Sequence, residues 1–500
     1  MARTRRSEAD GVALVVDNPK RDLPGIVLLG HELVQRGLKP YLVPMNLQQA
    51  EITALPVSGV LINYLRPNNE PLVAGLLEAG VRVVVCDTEG GVFRDVERLV
   101  AKMSKRDDVR GAVEAYCAWG EYMADYLVDQ RYHTAEQVVL TGSPRFDFYA
   151  GDWRDTCRVI NEVERSADRP LVLLCGSFPF ANSAFATPAQ EMDRRVIATG
   201  LPRELVEAEY EADKAAMDAL VALSNTLAEA YPDVDFVYRP HPFEQPATYE
   251  TLLKPLPNLR VHATGTVDSW LLQADFVVVP SDCTIGIEAA MVNVPAVIPR
   301  WLGSEDAPSV LSCARSVTSE AELVEQFEAA LEIRTDDQAR AAFAPPEAKD
   351  TIHTYFGPID GRSHHRVADV IVERLGGGST PDRAALRSMH YRRGDSSLSR
   401  QARVLLALRS ALRLPTQWSF RRFSAPDRLS WDDGIKAFSQ TEVQRILTGI
   451  NDTQPALQPV DAVTPGAGTY DFSYATGRAV QLVPSTAAAD AARATPTPAG

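Results

Sequence analysis

The sequence predicts an α/β protein with two similar, doubly wound halves, followed by a partly disordered C-terminal tail. Short apolar runs alternate with helical patterns from residue 11 to 150 and again from 169 to 335. This alternation is typical of parallel sheets covered by helices. The apolar runs also stop abruptly at polar or proline-containing loops, and open parallel sheets bind ligands at that edge. We therefore expect one ligand-binding edge in each half.

The first half, residues 11–150, contains six apolar runs that are short enough for strands. The predicted strands are 12–16, 40–44, 59–63, 81–86, 115–119 and 137–140. Helical patterns are predicted at 24–37, 71–80 and 121–128, and the first two end at a glycine. Glycine is common immediately after a last helical turn.

The second half, residues 169–335, repeats the pattern after a linker with some helix over 151–168. Its predicted strands are 170–174, 236–238 and 276–279, and its predicted helices are 204–231, 285–292 and 320–333. A closing loop and helix follow over 336–375.

The tail, residues 376–500, differs in composition. Residues 399–414 predict a basic amphipathic helix, which either packs on the body or contacts a membrane surface through 399–422. From Thr453 onward the proline, alanine, threonine and glycine content predicts disorder.

The composition excludes several classes of protein. The net charge of −15 argues against broad nucleic-acid binding. The six cysteines form no CxxC pair, so the sequence indicates neither a zinc site nor a disulfide framework. No run approaches the roughly 20 apolar residues of a membrane span. We expect a cytoplasmic protein.

Three loops of the second half combine small, hydroxyl and basic residues at predicted strand ends. Two prolines in the RPHP loop end the strand at 236–238, so His241 lies in a rigid loop. Hydroxyls before a helix, as in PSDCT, favour anion binding. The residues predicted to bind a nucleotide phosphate are Gly176, Ser177, Arg239, His241, Ser281 and Thr284. The alternative is that Arg239 and His241 brace their loop and Ser281 caps the helix.

Glu288 lies one helical turn after Thr284. Side chains four residues apart share a helix face, so this carboxylate is predicted to join the same site and to bind a ribose diol. A solvated helix carboxylate is the alternative.

An acidic cluster follows the apolar run at 81–86. It contains Asp87 and Glu89, followed by Gly90 and Gly91. Carboxylates at the end of a buried strand are costly unless they are used or paired, and the glycines allow a substrate to approach closely. One carboxylate is predicted to act as a general base, with Glu89 ahead of Asp87. The alternative is a helix cap and an ion pair.

Further polar residues are candidates for acceptor or cleft contacts. Asn68 and Asn69 follow the third predicted strand, and Asp360 precedes the closing helix. Turn chemistry explains the Asp-Gly pair at 360 equally well. His364 and His365 lack partners at metal-ligand spacing, so we predict no metal and no other cofactor.

The motifs together resemble those of bacterial surface carbohydrate (surface polysaccharide) biosynthesis proteins, over roughly residues 11 to 375. The resemblance rests on NYLRPNNEP, DTEGGVF, WGEYMADYL, TGSPRFD, YRPHP, PSDCTIGIEAA and YFGPIDGRS. It implies a GT-B glycosyltransferase-like architecture, in which two Rossmann-like, doubly wound domains face a cleft. The first domain would then hold the acceptor and the base, and the second would hold the nucleotide sugar.

The chain is more distantly similar to sialyltransferases and Kdo transferases, which use CMP-activated sugars. Their acidic, HP and hydroxyl motifs correspond here to Glu89-Gly90, His241-Pro242 and Ser281. Thr88 and Asp282 depart from those motifs. The second half also looks similar to CDP-glycerol glycerophosphotransferases.

The resemblance implies a metal-independent glycosyltransferase of surface polysaccharide assembly. Its donor would be a nucleotide sugar, with CMP as the expected nucleotide, and its acceptor a glycan or lipid-linked glycan. Three alternatives stay open: a CDP-polyol phosphotransferase, a nucleotide-sugar epimerase, and a non-catalytic assembly protein.

Overall fold

The computed structural model describes residues 11–90, 100–161, 163, 165, 168–279, 283–302, 313–376, 380–392, 436–466, 469–470 and 478–485. The chain divides into two compact units. The first unit combines residues 1–160 with 354–500, and the second is residues 161–353. Each unit is built on its own sheet.

The first unit holds an eight-stranded sheet in the order β13-β14-β2-β1-β3-β4-β5-β6. Strands β1 to β6 pair in parallel, and β13 and β14 are antiparallel at one edge. The strands are β1 (Gly11–Val16), β2 (Lys39–Pro44), β3 (Gly59–Ile62), β4 (Arg82–Cys86), β5 (Ala115–Ala118), β6 (Val138–Leu140), β13 (Val460–Val463) and β14 (Val480–Pro484).

Helices cover this sheet. Those numbered first in the chain are α1 (Pro19–Gln35), α2 (Gln48–Ala54), α3 (Glu70–Glu78), α4 (Asp107–Ala112), α5 (Glu121–Asp129) and α6 (Trp153–Ile160). Those from the C-terminal part are α14 (Ala348–Phe356), which begins in the second unit, α15 (Ser363–Leu375), α16 (Arg383–Arg392) and α17 (Gln440–Thr453).

The second unit holds a six-stranded parallel sheet in the order β12-β11-β10-β7-β8-β9. Its strands are β7 (Leu171–Cys175), β8 (Asp235–Arg239), β9 (Leu259–Val261), β10 (Phe276–Val278), β11 (Ala296–Pro299) and β12 (Arg315–Val317). Its helices are α7 (Pro188–Thr199), α8 (Arg203–Ala230), α9 (Pro246–Leu252), α10 (Asp268–Leu271), α11 (Thr284–Met291), α12 (Glu320–Glu332) and α13 (Asp337–Ala341).

Strands β1 and β7 are continuous apolar runs because both faces of the sheet are covered where they lie. Every residue of β1, β7 and β8 is buried. Parallel strands buried on two faces carry no polar alternation. The predicted fold class, two doubly wound α/β sheets, is confirmed by this strand order.

One prediction about the bounds of a helix needs correction. Helix α1 begins at Pro19, five residues before the predicted start, because the Asn18 side chain accepts from the Lys20 N–H and Pro19 occupies the first turn. Proline is tolerated there, since its missing N–H has no helical partner. Pro24 therefore lies inside the helix rather than at its start.

The prediction of disorder from Thr453 onward is wrong for two segments. Strand β14 pairs with β2, and β13 pairs with β14. The buried face of α17 is apolar, and β13 alternates buried and half-buried residues. An alternation with a period of two residues is typical of a half-buried strand, although the composition of this segment is biased. The predicted amphipathic helix and membrane contact at 399–422 lie outside the described residues.

Each sheet has a point where the strand order reverses. In the first sheet it lies between β1 and β3, and in the second between β7 and β10. Open α/β sheets bind ligands in the crevice at this point, outside the carboxyl ends of the strands. The loops after these strands are therefore the candidates for a ligand-binding site.

Candidate functional site

The carboxyl edge of the first sheet is lined by polar side chains. Asp17 follows β1, Asn63 follows β3 and Asp87 follows β4. All three are buried, with 5%, 1% and 1% of their surface exposed. Since β3 lies between β1 and β4 in the sheet, these three residues follow adjacent strands.

Asp87 is a buried carboxylate with one engaged oxygen. Its Oδ1 accepts from the Glu89 N–H at 2.9 Å and from Arg66 Nη2 at 3.3 Å. Its Oδ2 has no hydrogen-bond partner among the described residues. Burial raises the pKa of Asp87 to about 6, although Arg66 opposes that shift. A carboxyl group that titrates near neutrality is suited to proton transfer.

Glu89 differs from Asp87 in exposure. Its side chain is 31% exposed, and its Oε2 accepts from Arg66 Nη2 at 2.9 Å. The ion pair that we expected as an alternative role for Glu89 is therefore present, with Arg66 as the partner. Gly90 packs against the Trp119 ring, and Gly91 lies outside the described residues.

Asp17 is the centre of a charged network at the same edge. Its Oδ2 accepts from Arg21 Nη2 at 3.1 Å and from the Thr88 hydroxyl at 3.2 Å. Its Oδ1 accepts from Lys436, which belongs to the C-terminal segment. Burial raises the pKa of Asp17, but Lys436 and Arg21 outweigh burial, so the pKa lies below its usual value. Sequence reasoning did not identify Asp17 as a site residue.

The predicted acceptor contacts have local roles in this structure. Asn69 is buried, and its side chain bridges the Arg66 N–H and the Tyr64 carbonyl. Asn68 is exposed and donates to the Tyr64 hydroxyl at 3.0 Å. Asp360 forms a two-pronged ion pair with Arg366 and accepts from a nearby backbone N–H, as the turn alternative predicts.

Arg239, at the end of β8, is the residue of the second unit whose contacts differ most clearly from the predicted phosphate contact. Its guanidinium donates to the carbonyl oxygens of His262, Thr264 and Gly265 at 3.1–3.4 Å. The side chain is 8% exposed, and burial lowers its pKa to about 10. Arg239 therefore braces the loop after β9, which is the alternative that we left open, and its predicted phosphate contact has no support here.

His241 is held in a defined orientation. Its Nδ1 accepts from the Phe243 N–H at 3.2 Å. In the neutral ring this bond places the proton on Nε2. The half-buried imidazole is therefore oriented by its own loop, as the bracing alternative describes, and phosphate binding by His241 stays a prediction.

Glu244 is a residue that sequence reasoning missed. It is 2% exposed and accepts from the Phe178 N–H and from the Tyr249 hydroxyl, the latter at 2.6 Å. Burial raises its pKa to about 7. A Cβ at Gly176 would lie 2.7 Å from Glu244 Oε2, so a larger residue there would displace the Glu244 carboxylate. Glu244 thus ties the loop after β7 to the loop after β8.

The remaining members of the predicted phosphate set are only partly described. Ser177 is half-buried in the loop after β7, and Thr284 is the first residue of α11 and half-buried. Glu288 lies in the same helix and is 1% exposed, which excludes the solvated alternative. Ser281 lies outside the described residues.

One group of potential metal ligands occurs among the described residues. Glu32, His364 and His365 place ligand atoms within 4.8 Å of one another. The statement that the two histidines lack partners is therefore wrong, because Glu32 comes from a distant part of the chain. Asp147 accepts from His364 Nδ1 at 2.8 Å, and Arg36 donates to Glu32 at 2.7 Å.

Within the described ranges, no helix is both long and apolar enough to cross a membrane.

Comparisons with known proteins find similarity in structure alone. No family model and no curated protein matches the chain. One similar structure is UDP-GlcNAc 2-epimerase from Neisseria meningitidis bound to UDP-GlcNAc, at 11% identity over 73% of this chain and 100% of that chain, with a TM-score of 0.44. Another is the wall teichoic acid polymerase TagF, at 10% identity over 74% and 90%, with a TM-score of 0.45. A glycosyltransferase from Rickettsia africae has 11% identity over 74% and 99%, with a TM-score of 0.39.

Proposed function

We propose that the protein is a glycosyltransferase of cell-surface polysaccharide assembly. It transfers a sugar from a nucleotide donor, with CMP as the expected nucleotide, to a hydroxyl of a glycan acceptor. The observation that carries this proposal is Asp87, a buried carboxyl at the reversal edge of the first sheet with a pKa of about 6 and an oxygen without a partner in the described chain. The motifs shared with surface carbohydrate proteins supply the substrate class.

Asp87 is the base in this proposal, ahead of Glu89. Its Oδ2 removes the proton from the acceptor hydroxyl as that oxygen attacks the anomeric carbon. The bond between the anomeric carbon and the donor phosphate breaks, and the nucleotide leaves with the bonding electrons. Arg66 remains paired with both carboxylates. After the acceptor proton leaves Asp87, this pairing stabilises the ionised carboxylate.

The second unit supplies the phosphate contacts. The His241 Nε2–H, fixed by the bond at Nδ1, donates to the departing phosphate. Positioned donors that meet developing negative charge are a large part of catalysis in many enzymes. The N-terminus of α11, at Thr284, adds the positive end of a helix dipole.

A thermal-shift panel with CMP, CDP, UDP, GDP and their sugars tests the donor class. A ligand at about 100 times its dissociation constant adds ~2.7 kcal/mol of stability, which is a readily measured shift. We expect cytidine nucleotides to stabilise the protein and His241→Ala to abolish that effect. His353→Ala, an exposed histidine of the same unit, is the matched control and should keep it.

The panel also separates the alternatives. Stabilisation by uridine nucleotides, with conversion of the sugar in the absence of an acceptor, would favour an epimerase. Stabilisation by CDP-polyols rather than CMP-sugars would favour a polyol phosphotransferase. The absence of any shift would contradict the proposal and leave the non-catalytic alternative.

A further inference from the structure

A small cavity lies at the carboxyl edge of the first sheet. Its polar lining is Asn63, Asp87, Thr88 and Ser143 together with the charged Asp22 and Arg145, and the remainder is mostly apolar. The cavity measures about 20 Å³, which is room for about one water-sized group. It is therefore large enough for one functional group of a ligand and too small for a ring or a phosphate.

Two of the lining side chains have unused polar atoms. Asn63 is 1% exposed, and neither its Oδ1 nor its Nδ2 has a partner among the residues that the structure describes. The same holds for Oδ2 of Asp87. Most buried polar atoms in native proteins are hydrogen-bonded, so three such atoms at one cavity indicate a missing partner.

The backbone fixes Asn63 in this position. Its carbonyl accepts from the Thr88 N–H at 3.0 Å, which joins the loop after β3 to the loop after β4. Asn63 also directly follows β3, on one side of the reversal point between β1 and β3. That crevice is where open α/β sheets take ligands. The unused amide therefore lies where a substrate enters.

The chemistry of the two side chains selects the ligand. An amide offers both donors and an acceptor, whereas an ionised carboxylate only accepts. A hydroxyl group donates one hydrogen bond and accepts others, so one hydroxyl satisfies Asp87 Oδ2 and Asn63 Nδ2 together. An anionic group would meet the two carboxylates of Asp87 and Asp22 against the single guanidinium of Arg145. An apolar group would leave the Asn63 amide without a partner.

We propose that this cavity receives a single hydroxyl group of a sugar or polyol, held between Asn63 and Asp87. Asn63 is thereby a positioning residue that orients the hydroxyl toward the carboxylate. That the hydroxyl is the attacking group of the acceptor rests on the function proposed above, whereas the binding of a hydroxyl compound to the cavity does not.

Saturation-transfer difference NMR on the full-length protein tests the proposal with glycerol, galactose and N-acetylglucosamine as probes at millimolar concentration. We expect saturation of at least one probe, and about tenfold weaker binding in Asn63→Leu. A lost hydrogen bond that leaves its partner unsatisfied has an effect of this order. Gln130→Leu, an exposed amide of the same unit, is the matched control and should bind as the wild type does.

Three results would overturn the proposal. The first is the absence of saturation with every probe. The second is unchanged probe binding in Asn63→Leu, which would mean that the cavity holds a bound water only. If Asn63→Leu does not fold, Asn63→Ala replaces it, and unchanged binding in that variant is the third. Stabilisation by cytidine nucleotides, measured in the same variants, reports separately on the proposed function.

Discussion

The carboxyl edges of the two sheets differ in how their ionisable side chains are arranged, although both lie at a reversal of the strand order. At the first edge, ionisable side chains face one another in the Asp87, Arg66 and Glu89 cluster, and atoms of Asn63 and Asp87 are without partners in the described chain. At the second edge, the buried ionisable groups Arg239 and Glu244 are engaged with loop backbone. The first edge therefore has the groups for proton transfer. The second uses its charges to shape loops that present His241 and backbone groups.

The largest expected effect is on turnover at the first edge. Asp87→Asn keeps the shape of the side chain but removes the base, so we expect a 10²- to 10⁴-fold loss of transfer rate. The measurement is the transfer rate with the donor found in the thermal-shift panel. Asp125→Asn, at an exposed position of the same unit, is the control. A rate within threefold of wild type in Asp87→Asn would contradict the assignment.

The next effect concerns stability at the second edge. Arg239→Ala leaves three loop carbonyls without their donor, and at about 1 kcal/mol each the free energy of unfolding should fall by roughly 3 kcal/mol. Urea unfolding followed by tryptophan fluorescence measures it, since Trp270 lies beside the guanidinium. The exposed Arg203→Ala should change little. Normal stability with lost nucleotide binding would restore the phosphate-contact prediction.

Glu244 gives the second edge a pH dependence of defined sign. Its pKa is raised from 4.5 to about 7, so the folded state holds its proton more tightly than the unfolded state does. The stability that Glu244 contributes to the folded state is complete below pH 4.5 and is lost as the pH rises through 7. At about 1.4 kcal/mol per pKa unit, the difference is about 3 kcal/mol.

The test is the free energy of unfolding of Glu244→Gln and of wild type from pH 4.5 to 8. The free energy of unfolding of Glu244→Gln should increase relative to that of the wild type as the pH rises. The free energy of unfolding of the exposed Glu250→Gln should follow that of the wild type throughout. A variant curve parallel to that of the wild type would show that folding does not raise the pKa of Glu244.

The smallest effect distinguishes the two carboxylates of the first edge. Glu89 is partly exposed and paired with Arg66, so Glu89→Gln should reduce the transfer rate by tenfold at most. The same rate assay is the measurement. A hundredfold loss in Glu89→Gln, together with near-normal turnover in Asp87→Asn, would reverse the two roles and restore the order predicted from the sequence.

The sequence was sufficient for the central parallel strands because these are buried on both faces. Runs such as 12–16 and 171–174 are wholly apolar, and the structure buries them completely. Strands β9, β11, β12, β13 and β14 were not predicted. All of them except the buried, four-residue β11 are partly exposed. Their pairing depends on neighbours distant in the chain, which a local pattern does not contain.

The candidate site was predictable in position but not in detail. Asp87 was identified because it follows an apolar run directly, and His241 because it lies in the RPHP loop that ends the strand at 236–238. Asp17 also follows a strand directly, so the same signal was present, whereas Asn63 was assigned to the predicted strand 59–63 itself. The engagement of Arg239 could not be foreseen, because its partners lie on the loop after β9, a strand that was not predicted. Glu244 was missed because burial, and not spacing, raises its pKa.

The discontinuous first unit has a consequence for synthesis on the ribosome. Translation completes residues 161–353, the whole of the second unit, while the first unit still lacks everything from residue 354 onward. That missing part includes α15 and the β13–β14 pair that borders β2. The edge of β2 is thus unpaired in the nascent chain until the last strand emerges. Exposed strand edges favour pairing with other chains, so this interval is when a chaperone is most useful.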